Sequence, residues 1–71
     1  MSESIYRVTE VIGTSTTSWE DAAKNAVETA AKTLRDLRVG EIVRLDVTID
    51  AGKVTSYRAR VNISFKYEGA P

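Results

Sequence analysis

The sequence predicts an α+β fold: a βαββ chain whose three-stranded antiparallel sheet, of order 1-3-2, wraps round one helix. Three observations carry that prediction. Apolar residues recur at steps of three and four from Trp19 to Leu37, the period of an amphipathic helix. Residues 4–12 before it are rich in β-branched and aromatic types and stop at Gly13, as a strand does. Two runs of period two follow, separated by Asp50-Ala51-Gly52. A helix returning after the first strand leaves the second strand parallel to it, and the hairpin reverses the third. Placing the third strand in the centre makes every pairing antiparallel.

Each element has its own signals. Ser18 is a good N-cap, Asp21 three positions on is a shortened capping-box carboxylate, and Glu20 and Asp21 face the positive end of the helix dipole. The stripe Trp19, Ala22, Ala23, Ala26, Val27, Ala30, Ala31, Leu34, Leu37 is mostly alanine, so the helix can lie close against a sheet. Glu20/Lys24 and Glu28/Lys32 are i,i+4 pairs on the wet side. Arg35 and Arg38 suit the helix C-terminus, with Gly40 as its left-handed terminal residue. Val43, Leu45, Val47 and Ile49 alternate with Arg44, Asp46, Thr48 and Asp50, the mark of a half-buried strand. A three-residue loop with Gly52 left-handed then pairs Ile49 with Lys53. In the last strand Tyr57, Ala59, Val61, Ile63, Phe65 and Tyr67 share one face; Arg58, Arg60, Asn62, Ser64 and Lys66 share the other. A slip of one residue would invert both.

The third strand, about 14 residues, extends roughly 45 Å at ~3.3 Å per residue, against about 30 Å for a 20-residue helix. One helix cannot cover such a sheet, so the overhang must curl, be solvated or meet another subunit. With 71 residues the chain is one domain, 1–71, and 42% of it is hydrophobic. A domain this small buries only about 60% of its unfolded surface, which points to association for stability.

Composition excludes several functions. There is no cysteine and no histidine, hence no disulfide, thiol nucleophile, imidazole base or ordinary transition-metal ligand set. Formal net charge is zero, against a general nucleic-acid or anionic-membrane binder. No apolar run approaches the roughly 20 residues of a membrane span, and residues 1–12 lack a signal peptide's pattern, so a cytoplasmic location is expected. Hydroxyls cluster in Thr14–Ser18 with no base beside them, and Gly13-Thr14-Ser15 lacks the further glycines and lysine of a phosphate loop. The expectation is a protein that is not an enzyme.

The loop Gly13-Thr14-Ser15 running into Ser18-Trp19-Glu20-Asp21-Ala22, with Tyr6-Arg7-Val8, Lys32-Thr33-Leu34-Arg35, Leu37, Gly52-Lys53-Val54 and Tyr57, closely resembles the dodecins over nearly the whole chain. That resemblance implies a cubic, 23-symmetric homododecamer. In flavin-binding dodecins the isoalloxazine stacks on a tryptophan at the position aligned with Val39, and a glutamine aligned with Arg58 bonds its polar edge. Here the stacking surface is aliphatic and the amide is a cation. Within the family the chain looks most like the calcium dodecin branch, which implies a metal ligand in place of flavin.

The candidate residues also have plainer readings. Trp19 reads as core or interface rather than as a displaced stacking residue. Arg44, Arg58 and Arg60 suit intersubunit ion pairs with Asp46 and Glu41 in a symmetric assembly, or alternatively an anion or phosphate site. Asp46 and Asp50 share a strand face with Thr48 and are the first candidates for metal ligation, with Glu41 third. Their alternatives are a salt bridge for Asp46 and a turn for Asp50. Glu10 has no assigned partner, and no EF-hand loop is present, so a calcium site must be assembled in space, across subunits. Three functions follow: a calcium-binding storage shell, a flavin store with an altered clamp, or a structural assembly with incidental ions.

Overall fold

The computed structural model describes residues 5–66. β1 (Tyr6–Ser15), α1 (Trp19–Ala30), β2 (Leu37–Asp50) and β3 (Lys53–Lys66) follow in that order. They form the expected three-stranded sheet of order β1-β3-β2, with both pairings antiparallel. Ser4 and Tyr67, assigned from the sequence to strand ends, lie outside the described residues.

α1 begins where its capping chemistry puts it. Ser18 is extended, and its Oγ accepts the Asp21 N–H at 3.0 Å. Ser15 Oγ donates to Asp21 Oδ2 at 2.7 Å and accepts the Thr17 N–H at 2.9 Å. The Ser18 bond satisfies a donor that the first helical turn leaves open, and the Ser15 bonds brace the loop that enters it. The helix ends earlier than the periodicity predicts. Lys32 and Thr33 bond back three residues, to the carbonyls of Thr29 and Ala30, a tightening that closes the last turn. Asp36 then takes the left-handed conformation, φ 58°, that the sequence reading gave to Gly40. Arg35 and Arg38 therefore do not sit on the helix terminus, and Leu37, Val39, Gly40 and Glu41 belong to β2. Leu34 and Leu37 still reach the core, from the turn and the strand start, so the apolar period outlasts the helix.

Gly13 does not stop β1, which continues to Ser15 with Gly13 opposite Ala59. Its role is clearance. A Cβ on Gly13 would collide with the Ala22 carbonyl oxygen and lie 2.8 Å from the Ala26 Cβ. The buried core is a small seam, with Ala22, Ala26 and Ala30 of α1 against Ala59, Val61 and Ile63 of β3. Val11, Ala23, Val27, Leu34 and Leu37 pack around it.

The hairpin differs from the expected loop. Asp50 pairs with Lys53, leaving a two-residue turn in which Ala51 and Gly52 are both left-handed, φ 51° and 78°. That is the backbone of a type I′ turn, whose twist matches the strands. An extra residue, Thr55, on β3 restores the expected faces, bringing Val47 opposite Tyr57 and Leu45 opposite Ala59. A second bulge at Val43 places Ile42, not Val43, opposite Val61, and a third lies at Arg38. Bulges shift the period by one, which alternation alone does not show.

α1 lies over β1 and β3 and barely touches β2. Ile42, Leu45 and Ile49 of β2 are exposed as a result. The body measures 56 × 20 × 15 Å, and its radius of gyration, 14.8 Å, exceeds the roughly 11 Å of a compact domain of this length. Among the described residues, no helix is long and apolar enough to cross a membrane.

Candidate functional site

The sheet face away from α1 is organised in cross-strand rows with β3 in the middle. Glu10, Asn62 and Glu41 form one row; Ile12, Arg60 and Arg44 the next; Thr14, Arg58 and Asp46 the third. Directly opposed residues on one face lie close enough to interact through their side chains.

In the third row the interaction is bidentate. Arg58 Nε donates to Asp46 Oδ1 at 2.7 Å and Nη2 to Oδ2 at 3.0 Å, so both carboxylate oxygens accept from one guanidinium. The Arg58 hydrogen bond, with the nearby charges of Arg58, Arg60 and Arg44, holds the Asp46 carboxyl below its ordinary value. Reciprocally, the Asp46 hydrogen bond raises Arg58. From the other side Trp19 Nε1 donates to the Asp46 carbonyl oxygen at 3.0 Å. The indole meets the Tyr57 ring edge-on, with centroids 5.1 Å apart and planes at 71°. Asp46 is thus held at its backbone by the start of α1 and at its carboxylate by β3.

The other candidates are placed differently. Asp50 is exposed beside the turn, opposite Lys53, and Glu41 is exposed opposite Asn62; within the described residues neither carboxylate makes a hydrogen bond or ion pair. Asp50 lies four steps along the strand from Asp46, about 13 Å, and Glu41 lies five steps from Asp46 on the other side. Among the described residues no three acidic side chains converge on one point. Between Asp46 and Asp50, Thr48 Oγ1 lies 2.7 Å from Thr55 Oγ1 and 2.6 Å from Ser56 Oγ, a hydroxyl cluster at the end of the hairpin.

Val39 is exposed at the β2 bulge, opposite Ser64. With Val27, Leu37, Arg38, Gly40 and Ile63 it lines an open pocket of about 100 Å³. Gly40 keeps that pocket open to the helix, because a Cβ there would stand 3.5 Å from Val27 Cγ2. Neither ring nor amide lines it, so its walls offer apolar contact and the Arg38 side chain alone.

Two features were not legible in the sequence. One is the Trp19–Asp46 bond, which joins residues 27 apart with no local signal. The other is Arg60, whose Nε is buried with no hydrogen-bond partner among the described residues. Its cross-strand partner on β2 is Arg44, a second cation.

Comparison with known proteins gives this arrangement a family. The dodecin family model matches residues 5–68. The calcium dodecin of Mycobacterium tuberculosis (strain ATCC 25618 / H37Rv) is 46% identical over 68 residues, which is 94% of each chain. A structure of that organism's calcium dodecin, described as a calcium-chelating immunodominant antigen with a novel calcium-binding site, superposes with a TM-score of 0.81 at 40% identity, over 94% of this chain and 96% of that one. The dodecin of Streptomyces coelicolor superposes with a TM-score of 0.91 at 37% identity, over 99% of this chain and 100% of that one. A βαββ sheet of order β1-β3-β2 on one helix, matched along nearly its whole length in sequence and in structure, leaves one conclusion: the chain belongs to the dodecin family.

Proposed function

We propose that the chain assembles into a dodecameric, non-enzymatic shell that binds a divalent cation, calcium, in preference to a flavin. The observation that carries the ligand assignment is the state of the two clamp positions. Val39 offers an aliphatic wall where flavin-binding dodecins place an indole, and Arg58 is bonded to Asp46 through both carboxylate oxygens. The relative named calcium dodecin supports the same reading.

The donors suit a hard cation. Ten carboxylates with no histidine or cysteine offer oxygen ligands only, and calcium takes six to eight of these at about 2.3–2.6 Å in irregular geometry. Asp46, Asp50 and Glu41 remain the proposed ligands, with hydroxyl or carbonyl oxygens beside them. Their spacing along β2 keeps one chain from closing a site, so the proposed site joins copies of the chain. Asp50 and Glu41 enter with carboxylates that have no partner among the described residues, whereas Asp46 enters by exchanging Arg58 for the metal.

Assembly is supported by what a single chain leaves open. β2 exposes an apolar row that α1 does not cover, and on the opposite face Arg60 buries a donor with no partner among the described residues. An unsatisfied buried donor costs about 1–3 kcal/mol, which an acceptor from a neighbouring copy would recover.

Calorimetric titration of chelator-treated protein, with light scattering and thermal unfolding, tests both parts. Calcium binding is expected to raise the melting temperature by mass action, and Asp46→Asn, Asp50→Asn and Glu41→Gln to weaken it. No binding in the parent would sink the calcium assignment, and a monomer or dimer mass at micromolar concentration would sink the shell.

Flavin storage is the second reading, favoured by the pocket itself, which lies at Val39. A tightly bound yellow chromophore in the purified protein would establish it instead.

A further inference from the structure

We infer that two copies of the chain pack together through the sheet faces that point away from α1. A two-fold axis along the cross-strand rows sets the arginine row of each copy against the acidic row of the other. The inference rests on the reading of the chain as an assembly and needs no metal. What it adds is the face used, the direction of the axis and the charges that fix both.

The charges on this face come in bands. Glu10 and Glu41 flank Asn62 in one row, and Arg60 and Arg44 stand directly opposite each other in the next. Among the described residues none of these four charges makes an ion pair, although the rows are neighbours. Like charges in directly opposed positions destabilise a sheet, and the buried Arg60 Nε has no acceptor among the described residues. A lone chain thus sets two unpaired anions beside two unpaired cations. In the row beyond, Arg58 and Asp46 neutralise each other and leave the bands as they are. Val8, Ile12 and Val39 are exposed on the same face and supply apolar area around the charges.

Equal and opposite bands make the face complementary to itself. Aligned sheets stack about 10 Å apart with their strands within about 30° of each other. When one copy is turned over about an axis parallel to the rows and between the bands, each strand faces its own counterpart. Arg44 then meets Glu41 of the partner subunit. Arg60 meets the partner subunit's Asn62, whose side-chain carbonyl accepts from a guanidinium. The two-fold makes each contact twice. An axis along the strands does the reverse: Glu10 faces Glu41 of the partner subunit, and Arg60 faces the partner's Arg60. Charge therefore selects one of the two ways to stack this face. A foreign partner would have to carry the same two bands at the same spacing, whereas a second copy carries them already.

The experiment uses E41R and R44E, both at exposed strand positions away from the core, with far-UV circular dichroism to check folding. On β2 the first variant leaves two cations and the second two anions. Light scattering at micromolar concentration is expected to give a smaller mass for each variant alone than for the parent. Mixed in equal amounts, the two should return toward the parent mass, because each supplies the band the other lacks. No interaction within one chain produces that recovery. The variants E41Q, R44Q and E41Q/R44Q keep size and remove charge, which guards against misfolding of a reversed charge. Their dissociation concentrations should rise about 2–5-fold in each single variant, the size set by an ion pair, and no further in the double. If E41R and R44E assemble like the parent, or stay dissociated when mixed, or the neutral variants add, the inference falls and the shell stands. If the parent itself is a monomer, the shell falls and the inference falls with it.

Discussion

Trp19 and Asp46, 27 residues apart, are joined by a hydrogen bond of 3.0 Å from the indole Nε1 to a backbone carbonyl. It ties the first turn of α1 to β2, the strand the helix otherwise leaves almost untouched. The bond is exposed, so its worth lies toward the low end of the usual range. Trp19→Phe, which keeps a ring against Tyr57 and removes the donor, should lower stability by about 0.5–1 kcal/mol. Urea midpoints of the two proteins, measured under the same assembly conditions, check it; equal midpoints would show that the bond carries no stability.

The Asp46–Arg58 pair gives an acid dependence of defined sign. Asp46 is held below its ordinary value of 3.8, chiefly by the Arg58 hydrogen bond. A depressed carboxyl stabilises the fold fully above its unfolded pKa and loses that contribution as pH falls through the folded one. Parent and Asp46→Asn should therefore differ in stability at pH 7 and converge progressively below pH 3.8. Denaturation midpoints across that range, in chelator, measure the convergence.

Gly13→Ala should be severe, because Gly13 is buried beneath α1. The new methyl meets the Ala22 carbonyl oxygen and the Ala26 Cβ at 2.8 Å, and both belong to the buried seam. Helix and strand must separate, at a cost of about 1–3 kcal/mol by the usual penalty for overpacking. A thermal unfolding scan that matched the parent would show that α1 can move away freely.

Ala51→Asn should act in the opposite direction. Ala51 holds φ 51° at the first position of the turn, where asparagine is tolerated far better than alanine. A gain of about 0.5–1 kcal/mol is expected, with no change in ligand binding. A loss of stability would mean that the turn is not type I′ in solution.

For the flavin clamp, the pair Val39→Trp and Arg58→Gln supplies a stacking surface and an amide together. Ring stacking of this kind is worth about 1–3 kcal/mol by analogy with nucleic-acid platforms. Riboflavin quenching titrations should show measurable affinity in the double variant and far weaker binding in the parent. Equal affinities would mean that these two positions do not govern flavin.

What the sequence disclosed, and what it withheld, divides by range. The strand order, the Ser18 cap and the two faces of β3 follow from local period and capping chemistry, and all are present in the structure. The end of α1 was misplaced because Leu34 and Leu37 continue the helical spacing while lying in a turn and a strand. The hairpin was misread because alanine rarely accepts a left-handed backbone, and here Ala51 does. Of the site, a salt bridge for Asp46 was legible from the arginines nearby, but its partner was not: the expected register puts Asp46 opposite Ser56, and the two-residue turn and the Thr55 bulge bring Arg58 there instead. The grip of Trp19 on the Asp46 backbone was not, because nothing local encodes a contact across 27 residues.

The clearance at Gly13 has a mechanical consequence. It lets α1 close on β1 and the centre of the sheet, while β2, which α1 barely touches, is left as a loosely backed outer strip. A lone subunit is thus a plate with one stiff flank and one compliant flank. Amide exchange should proceed from the compliant side inward in an isolated chain, with β2 opening while the Gly13 seam stays shut. In an assembly the compliant strip would be the hinge at which neighbouring plates adjust their angle.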